Sequence, residues 1–351
     1  MFIRNNWYIG AWSHEIVPGK LFGRVICDEP ILFYRDTTGA VVALEDRCCH
    51  RAAPLSLGQL KGDVVQCGYH GLEFDRKGRC VKIPGQGKIP ERACVRAYPL
   101  QEQDRLVWIW MGDHARESDE APSRMAWHVD PHFAHKPGLT LVEANHVLIS
   151  DNLLDLSHVG YVHKRTLGGD PNDHSAAELK TKRGKDHVKV IRIMRATDPG
   201  PFHILNGGFK GKVDRYQIIE FRPGFVVIDS GMTEAGKLGP DAEVPDDAFN
   251  LRKIVFNGIT PETEHKTHYF WSASHVHGID RPEVIESVFR DFNVTFAEDI
   301  AFMEGQYNRR RLAPERELFD INSDVGSIQA NLIIARRLAE ESGSAVSEAA
   351  E

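Results

Sequence analysis

The chain has 351 residues, 42% hydrophobic and 26% charged, with a formal net charge of −7. That length suits two domains better than one, and the composition supports buried cores. No basic run exceeds a few residues and no basic face alternates with aromatics, so nothing points to a nucleic-acid partner.

The amino terminus, Met1-Phe2-Ile3-Arg4-Asn5-Asn6-Trp7, lacks the basic and apolar segments of a signal peptide. No stretch reaches the roughly 18 apolar residues that a membrane span needs. The expectation is a soluble, cytoplasmic protein with no membrane contact. Six cysteines in such a chain argue for metal or redox use over a disulfide frame, and seventeen histidines direct attention to metal sites.

Residues 20–112 carry strand signals. Val25-Ile26-Cys27 and Ile31-Leu32-Phe33-Tyr34 are short apolar runs, and Thr37-Thr38-Gly39 predicts a turn into Val41-Val42-Ala43-Leu44. A second hairpin is predicted from Leu72-Glu73-Phe74 through Arg76-Lys77-Gly78 to Cys80-Val81-Lys82-Ile83, and Leu106 to Trp110 is a further strand. Residues 113–124 are charged and polar with one proline, which predicts a linker and divides the chain into domains 1–118 and 119–351. The second part mixes helix and strand. Helical patterns cover 145–163, 283–311 and part of 322–341. Strands are predicted at Val188–Ile193, Arg215–Phe221, Phe225–Asp229 and Thr267–Ser274, a loop over 233–248 and fraying in the last ten residues.

Two Cys-His pairs stand out. Cys48-Cys49-His50 gives C-x-H, sixteen residues follow, and Cys67-Gly68-Tyr69-His70 gives C-x-x-H. Each loop delivers one thiolate and one imidazole, so two hairpin tips can pinch a metal centre between them. Two thiolates on one iron and two imidazoles on the other is the Rieske form of a [2Fe–2S] cluster. A structural zinc ion is the competing reading, but zinc sites usually pair Cys with Cys and His with His. Gly58, Gly68 and Gly71 would let backbone N–H groups approach the cluster sulfurs. Cys27, Cys49, Cys80 and Cys94 read as small hydrophobes.

A second constellation lies in Asp151-Asn152-Leu153-Leu154-Asp155-Leu156-Ser157-His158-Val159-Gly160-Tyr161-Val162-His163. Asn152, Asp155 and His158 share one helix face. His163 would sit about 140° around an ideal helix from His158, so both rings meet one metal only if the helix distorts, and an irregular turn is predicted at 159–163 near Gly160. Two histidines need a carboxylate to form the facial triad of a non-haem Fe(II) oxygenase. In the 283–311 helix, Ile285, Val288, Phe292, Phe296 and Met303 form an apolar stripe, and Asp299 lies on it. A carboxylate aimed into a core is costly unless paired or metal-bound, which singles out Asp299. Glu298, about 100° off the stripe, is expected to face water.

These motifs resemble the oxygenase components of Rieske non-haem iron monooxygenases, in the branch of vanillate O-demethylase, dicamba O-demethylase and toluenesulfonate methyl-monooxygenase. The resemblance is carried by Asp46-Arg47-Cys48-Cys49-His50-Arg51, Ala53-Pro54-Leu55-Ser56-Leu57-Gly58, Cys67-Gly68-Tyr69-His70-Gly71-Leu72, the Asp151–His158 run and Glu298-Asp299, and it spans nearly the whole chain. One departure is Cys49, where most of the family has proline. The resemblance implies an α+β protein, an all-β Rieske domain followed by a helix-grip catalytic domain, with a [2Fe–2S] cluster on Cys48, His50, Cys67 and His70 and a mononuclear Fe(II) on His158, His163 and Asp299.

It also implies a head-to-tail homotrimer in which one subunit's cluster feeds its neighbour's iron. Asp155 would hydrogen-bond His158 through its carboxylate and bridge to the neighbour's His70. Asn152 matches a residue close to the iron. Asn257 and Arg290 match positions that hold a substrate's acidic group, with a surface ion pair as the competing reading of Arg290. The implied reaction uses O2 to hydroxylate or oxidatively demethylate a small aromatic acid or methoxy-aromatic, with N-demethylation and aryl-methyl hydroxylation as alternatives. No dinucleotide fingerprint and no plant-type ferredoxin cysteine run occurs, so a separate NAD(P)H-dependent reductase is expected. A Rieske electron carrier without oxygenase activity is the alternative of another class.

Overall fold

The computed structural model describes residues 1–114, 116, 121–164, 170–199, 204, 208–239 and 251–343. The predicted loop at 233–248 lies outside the described residues from 240 onward, as does the expected frayed end beyond 343. The chain forms two compact units, Phe2–Met125 with Thr260–Glu264, and Met1 with Ala126–Ile259 and His265–Glu351.

The first unit is built of short antiparallel strands. They are β1 (Trp7–Trp12), β2 (Phe22–Ile26), β3 (Glu29–Arg35), β4 (Val41–Glu45), β5 (Gln59–Lys61), β6 (Val64–Gln66), β7 (Glu73–Phe74), β8 (Cys80–Lys82), β9 (Ala97–Tyr98), β10 (Leu100–Gln103) and β11 (Leu106–Trp110). Among the described residues they make three sheets, ordered β1-β11-β10, β2-β3-β4-β9 and β5-β6-β7-β8. Strand β3 explains the unbroken apolar run in the sequence: Ile31, Leu32, Phe33 and Tyr34 are all fully buried. Its alternate side chains enter different cores. Ile31 and Phe33 pack with Val107 and Ile109, while Leu32 and Tyr34 pack with Cys48, Cys67 and Phe74. The second core anchors the two cysteine loops.

The second unit contains one seven-stranded antiparallel sheet. Its strands are β12 (Pro137–Val142), β13 (Glu178–Arg183), β14 (Val188–Thr197), β15 (Val213–Arg222), β16 (Phe225–Glu234), β17 (Lys253–Thr263) and β18 (Lys266–His275), ordered β12-β18-β17-β16-β15-β14-β13. Among the described residues five helices accompany it: α1 (His146–Leu154), α2 (Val159–Val162), α3 (Pro171–Ser175), α4 (Pro282–Leu312) and α5 (Val325–Ser342). Helix α4 buries Val288, Phe292, Thr295, Phe296, Asp299 and Met303, the predicted stripe with Asp299 inside it. Aromatic contacts seat it on β18: Trp271 stacks on Phe289 at 5.0 Å between centroids, and Tyr269 meets Phe296 edge-on at 5.3 Å. A long helix packed on a seven-stranded antiparallel sheet, beside an all-β first unit, is the expected α+β architecture.

The expected helix over 145–163 is interrupted, and not where glycine suggested. Asn145 caps α1, accepting from Val147 N at 3.0 Å. The break comes at Asp155, whose backbone turns extended (φ −116°, ψ 95°), and a 3-10 turn, Leu156–His158, follows before α2. The cause is local: the Asp155 side chain accepts from Ser157 N at 2.9 Å and starts a new helical segment. Gly160 has a different use. A Cβ there would lie 2.6 Å from Pro171 Cα, so its bare face lets α3 close on α2. Gly160→Ala is therefore expected to destabilise the fold by about 1–3 kcal/mol, the usual cost of overpacking. Urea unfolding checks this, and an unchanged midpoint would show that α3 gives way freely.

Candidate metal centres

The first donor set sits on two loops of the first unit, after β4 and between β6 and β7. Each loop is tied by its own backbone. Ala52 N donates to Cys48 O and Cys48 N to Ala53 O, both at 2.9 Å, while Gly71 N donates to Cys67 O at 3.0 Å and Cys67 N to Leu72 O at 2.8 Å. The loops press together at Gly58, where a Cβ would lie 2.1 Å from Gln66 O. Ser56 fixes the same segment by donating its N–H and hydroxyl to Asp46, at 2.7 and 2.6 Å. The result is directional. Cys48 and Cys67 are buried, each 2% exposed, while His50 and His70 stand at the surface with ring centroids 4.7 Å apart. Burial pushes the Cys48 thiol up to about 11, and the Cys67 thiol beside it adds to the rise. Two buried sulfurs side by side favour thiolates only when a cation offsets their charge, which the cysteine-bound iron of a Rieske cluster does. Cys27 and Cys80 are buried as expected, whereas Cys49 and Cys94 are exposed.

The second set converges in the second unit. Among the described residues, His158, His163 and Asp299 form a group whose ligand atoms all lie within 4.8 Å of one another. Asp299 Oδ1 is 3.3 Å from His158 Nε2 and 3.1 Å from His163 Nε2. Adjacent ligands on an octahedral ion, at bonds of about 2.1 Å, are separated by about 3.0 Å, so these donors fit one metal ion. Between the histidines the chain passes from the 3-10 turn Leu156–His158 into the short α2, which ends at Val162, so the ideal-helix angle does not hold and both rings reach one point.

The other ring nitrogens set the tautomers. His158 Nδ1 faces the Asp155 main-chain carbonyl at 2.6 Å, and His163 Nδ1 faces Glu298 Oε2 at 2.9 Å. Each Nδ1 would therefore keep its proton when a metal takes the Nε2 lone pair, and without the metal each Nε2 faces Asp299 instead. Burial alone would lower the His163 pKa, but Asp299, followed by Glu298, holds it above 6.5. Burial would likewise raise Asp299, yet hydrogen bonds with His158 and His163 keep it ionised, below 3.8.

Asn152 reaches the centre by donating Nδ2–H to Asp299 Oδ1 at 3.2 Å. Asp155 is used differently from the expectation. Its main-chain oxygen, not its carboxylate, holds His158, while the carboxylate accepts from Ser157 N and from the hydroxyls of Ser157 and Ser323, at 2.9, 3.0 and 3.0 Å. Glu298, expected to face water, holds His163. Residues 298 and 299 flank one another on α4, so a partner wrapping that flank collects both. Only the adjacency of the two carboxylates signalled this.

Neither expected substrate residue lies beside the metal donors. Arg290 is on the outer face of α4, 70% exposed, 3.1 Å from Ser287 Oγ and 3.8 Å from Asp291. Asn257 is fully buried and its amide is consumed. It accepts from Tyr269 OH at 2.6 Å and donates to the Val226 and Val255 carbonyls, both at 3.2 Å. Asn257 braces the sheet, and Arg290 is a surface residue. A cavity does open onto His158, His163 and Asp299, walled by Leu153, Val159, Ile228, Phe292 and Phe296, with Arg215 and Lys253 in its lining.

A Rieske-type loop pair in one unit and a two-histidine, one-carboxylate site gripped by helix and sheet in the other define a Rieske non-haem iron oxygenase. Residues 6–99 match the Rieske [2Fe-2S] domain and residues 142–340 match the vanillate O-demethylase oxygenase C-terminal domain. The chain is 40% identical over 349 residues to the toluene-4-sulfonate monooxygenase system iron-sulfur subunit of Comamonas testosteroni, covering 98% of this chain and 99% of that one. It is 35% identical to the vanillate O-demethylase oxygenase subunit of a Pseudomonas strain, covering 97% and 96%. The solved structure of dicamba monooxygenase bound to 3,6-dichlorosalicylic acid superposes with a TM-score of 0.89 at 31% identity, covering 97% and 99%. The chain therefore belongs to the oxygenase components of Rieske non-haem iron monooxygenases, whose cofactors are a [2Fe–2S] cluster and a mononuclear iron.

The two centres are separable. His158→Ala is expected to lower iron from about three to about two atoms per chain and abolish turnover while leaving the cluster's visible spectrum intact. Loss of that spectrum would contradict the division of ligands. Glu298→Gln keeps the shape but removes the charge behind His163. It is expected to weaken binding of the mononuclear iron by about tenfold to a hundredfold, measured by competition with a chelator.

Proposed function

We propose that this protein is the terminal oxygenase that hydroxylates or oxidatively demethylates a small aromatic compound, an aromatic acid or methoxy-aromatic. It takes electrons from a separate NAD(P)H-dependent reductase. The observation that carries this reading is that His158, His163 and Asp299 line one cavity with Phe292, Phe296 and aliphatic side chains. The relatives support it through their names: toluene-4-sulfonate, vanillate and dicamba are all small aromatic acids.

When bound, the cluster and the mononuclear iron supply single electrons and O2 activation. The chain's own residues do the rest. Phe292 and Phe296, 5.7 Å apart, offer ring faces to an aryl group, and Leu153, Val159 and Ile228 exclude water around it. Asp299 contributes one negative charge to the iron site, and Glu298 and Asp155 O keep both imidazoles aimed. A methyl carbon hydroxylated beside an ether oxygen breaks its C–O bond and leaves as formaldehyde. The balance is aryl methyl ether, O2, two electrons and two protons giving phenol, formaldehyde and water. On an aryl methyl group the same step stops at the alcohol.

The proposal includes a cytoplasmic head-to-tail homotrimer, since a contact between two different faces closes into a ring. Among the described residues no helix is long and apolar enough to cross a membrane. Two faces complement each other. Beside the cluster histidines stand Arg47, Arg51, Leu57 and Tyr69, all exposed. Behind the iron site, Asp151, Asp155, Asp320 and Asp324 line a groove with Phe302, Leu318 and Phe319. A cationic, apolar tip and an acidic, apolar groove suit one another across two copies.

The test supplies purified oxygenase, a reductase, NADH and a panel of 4-methoxybenzoate, 4-methylbenzoate, 4-methylbenzenesulfonate and an N-methylated aromatic. Formaldehyde or a benzylic alcohol is expected in step with NADH use for the acids. Ring diols, or formaldehyde from the N-methyl compound alone, would replace this reading. Electron transfer without any oxygenated product would leave only an electron carrier.

A further inference from the structure

The cavity wall opposite α4 is a sheet face, and its register sets polar groups in order. Gln217 on β15 pairs with Ser230 on β16, and Ser230 pairs with Lys253 on β17, so three side chains lie in one row across three strands. Arg215, two residues before Gln217, lies on the same face of β15. All four line the cavity that holds the metal donors. The Gln217 carbonyl oxygen accepts from Arg192 at 2.9 Å, which turns the Gln217 amide donors away from Arg192. Arg192 is itself fixed by donating to the His174 carbonyl at 2.7 Å.

Arg215 and Lys253 bring two cationic heads to one wall of this cavity, a setting that favours an anionic ligand. Burial lowers the Arg215 pKa, with Asp173 acting on it only through space. Burial brings Lys253 down to about 8, Arg215 repels it, and Asp291 opposes the shift. The Lys253 ammonium also lies 5.9 Å from the centroid of the Phe292 ring. One end of the cavity therefore offers charged and neutral donors, and the rest offers aryl and aliphatic contacts.

We propose that Arg215 and Lys253, aided by Gln217 and Ser230, bind the oxyanion of an aryl carboxylate or sulfonate and so fix which end of the ring faces the iron site. This rests on the aromatic-acid reading above and names the residues that read the acid. An oxyanion presents acceptors only, which matches a wall of donors, and its charge offsets that of the two cations.

The experiment measures binding by calorimetry to the iron-loaded protein, without reductase. The probes are 4-methoxybenzoate, 4-methylbenzenesulfonate and uncharged 4-methoxybenzamide. The parent protein is expected to bind the anions about tenfold or more tighter than the amide. Arg215→Gln and Lys253→Gln are each expected to weaken anion binding by about tenfold to a hundredfold, and amide binding by much less, so that the preference for the anions falls. Arg215→Lys and Lys253→Arg keep the charge and should keep the preference. Iron content and the visible spectrum report folding in every variant, and should a glutamine variant fail to fold, the charge-retaining pair with a Gln217→Leu and Ser230→Ala variant decides. Unchanged anion preference in folded Arg215→Gln and Lys253→Gln, or in that donor-deleted variant, would overturn the assignment while the aromatic-acid reading stands. A parent that prefers the amide would overturn the aromatic-acid reading itself. The sulfonate and carboxylate arms show which oxyanion fits better.

Discussion

The structure turns on one buried carboxylate. Asp299 is 5% exposed and lies in the apolar stripe of a 31-residue helix. Left alone, burial would neutralise it. Two imidazoles and the Asn152 amide keep it charged, and those same two imidazoles are the other metal donors. Stabilising the carboxylate and assembling the iron site are thus one interaction. It needs a departure from an unbroken helix, which would set the two rings about 140° apart: the 3-10 turn ends at His158 and α2 ends at Val162, before His163. It also requires α4 to hold one rotational phase, which Trp271, Tyr269 and Phe296 set through ring contacts.

The cluster loops solve the opposite problem. There the sulfurs must be shielded and the imidazoles must meet solvent or a partner. Alternation along β3 achieves the shielding, since Leu32 and Tyr34 carry one core up to Cys48 and Cys67 while the histidines project beyond it. A cluster held by these four residues would meet the surface on its imidazole side, where His50 and His70 are exposed. In both centres a backbone or carboxylate acceptor, rather than the metal ligands themselves, decides where the donors point.

What the sequence revealed divides along physical lines. Residue types that are expensive out of place were legible: paired Cys and His, and a carboxylate in an apolar stripe. So were strands buried on both faces, such as β3 and β11, whose apolar runs have no other use. Strand β13, Glu178–Arg183, was not legible because it is a polar edge with five of its six residues exposed. The helix break was misplaced because Gly160 looked like a hinge, whereas the cap at Asp155 depends on a side chain folding onto its own backbone. Glu298 was misread because helix phase tells which side chains face the core, not which neighbour wraps the flank. Arg290 and Asn257 were taken from a resemblance, and aligned positions do not carry side-chain direction: one side chain points outward and the other is saturated by its own sheet.

This division bears on how such an oxygenase acquires specificity. The triad is set by the short helical segments that carry His158 and His163 and by the phase of α4, and a change in either would move a metal donor. The facing sheet is freer. Side chains along β15, β16 and β17 alternate between its two faces, so a substitution at Arg215, Gln217, Ser230 or Lys253 changes the cavity wall without moving a metal ligand. Reaction and recognition are then carried by different elements. The helix side of the cavity supplies chemistry common to the family, and the sheet side supplies the charge that selects among aromatic compounds.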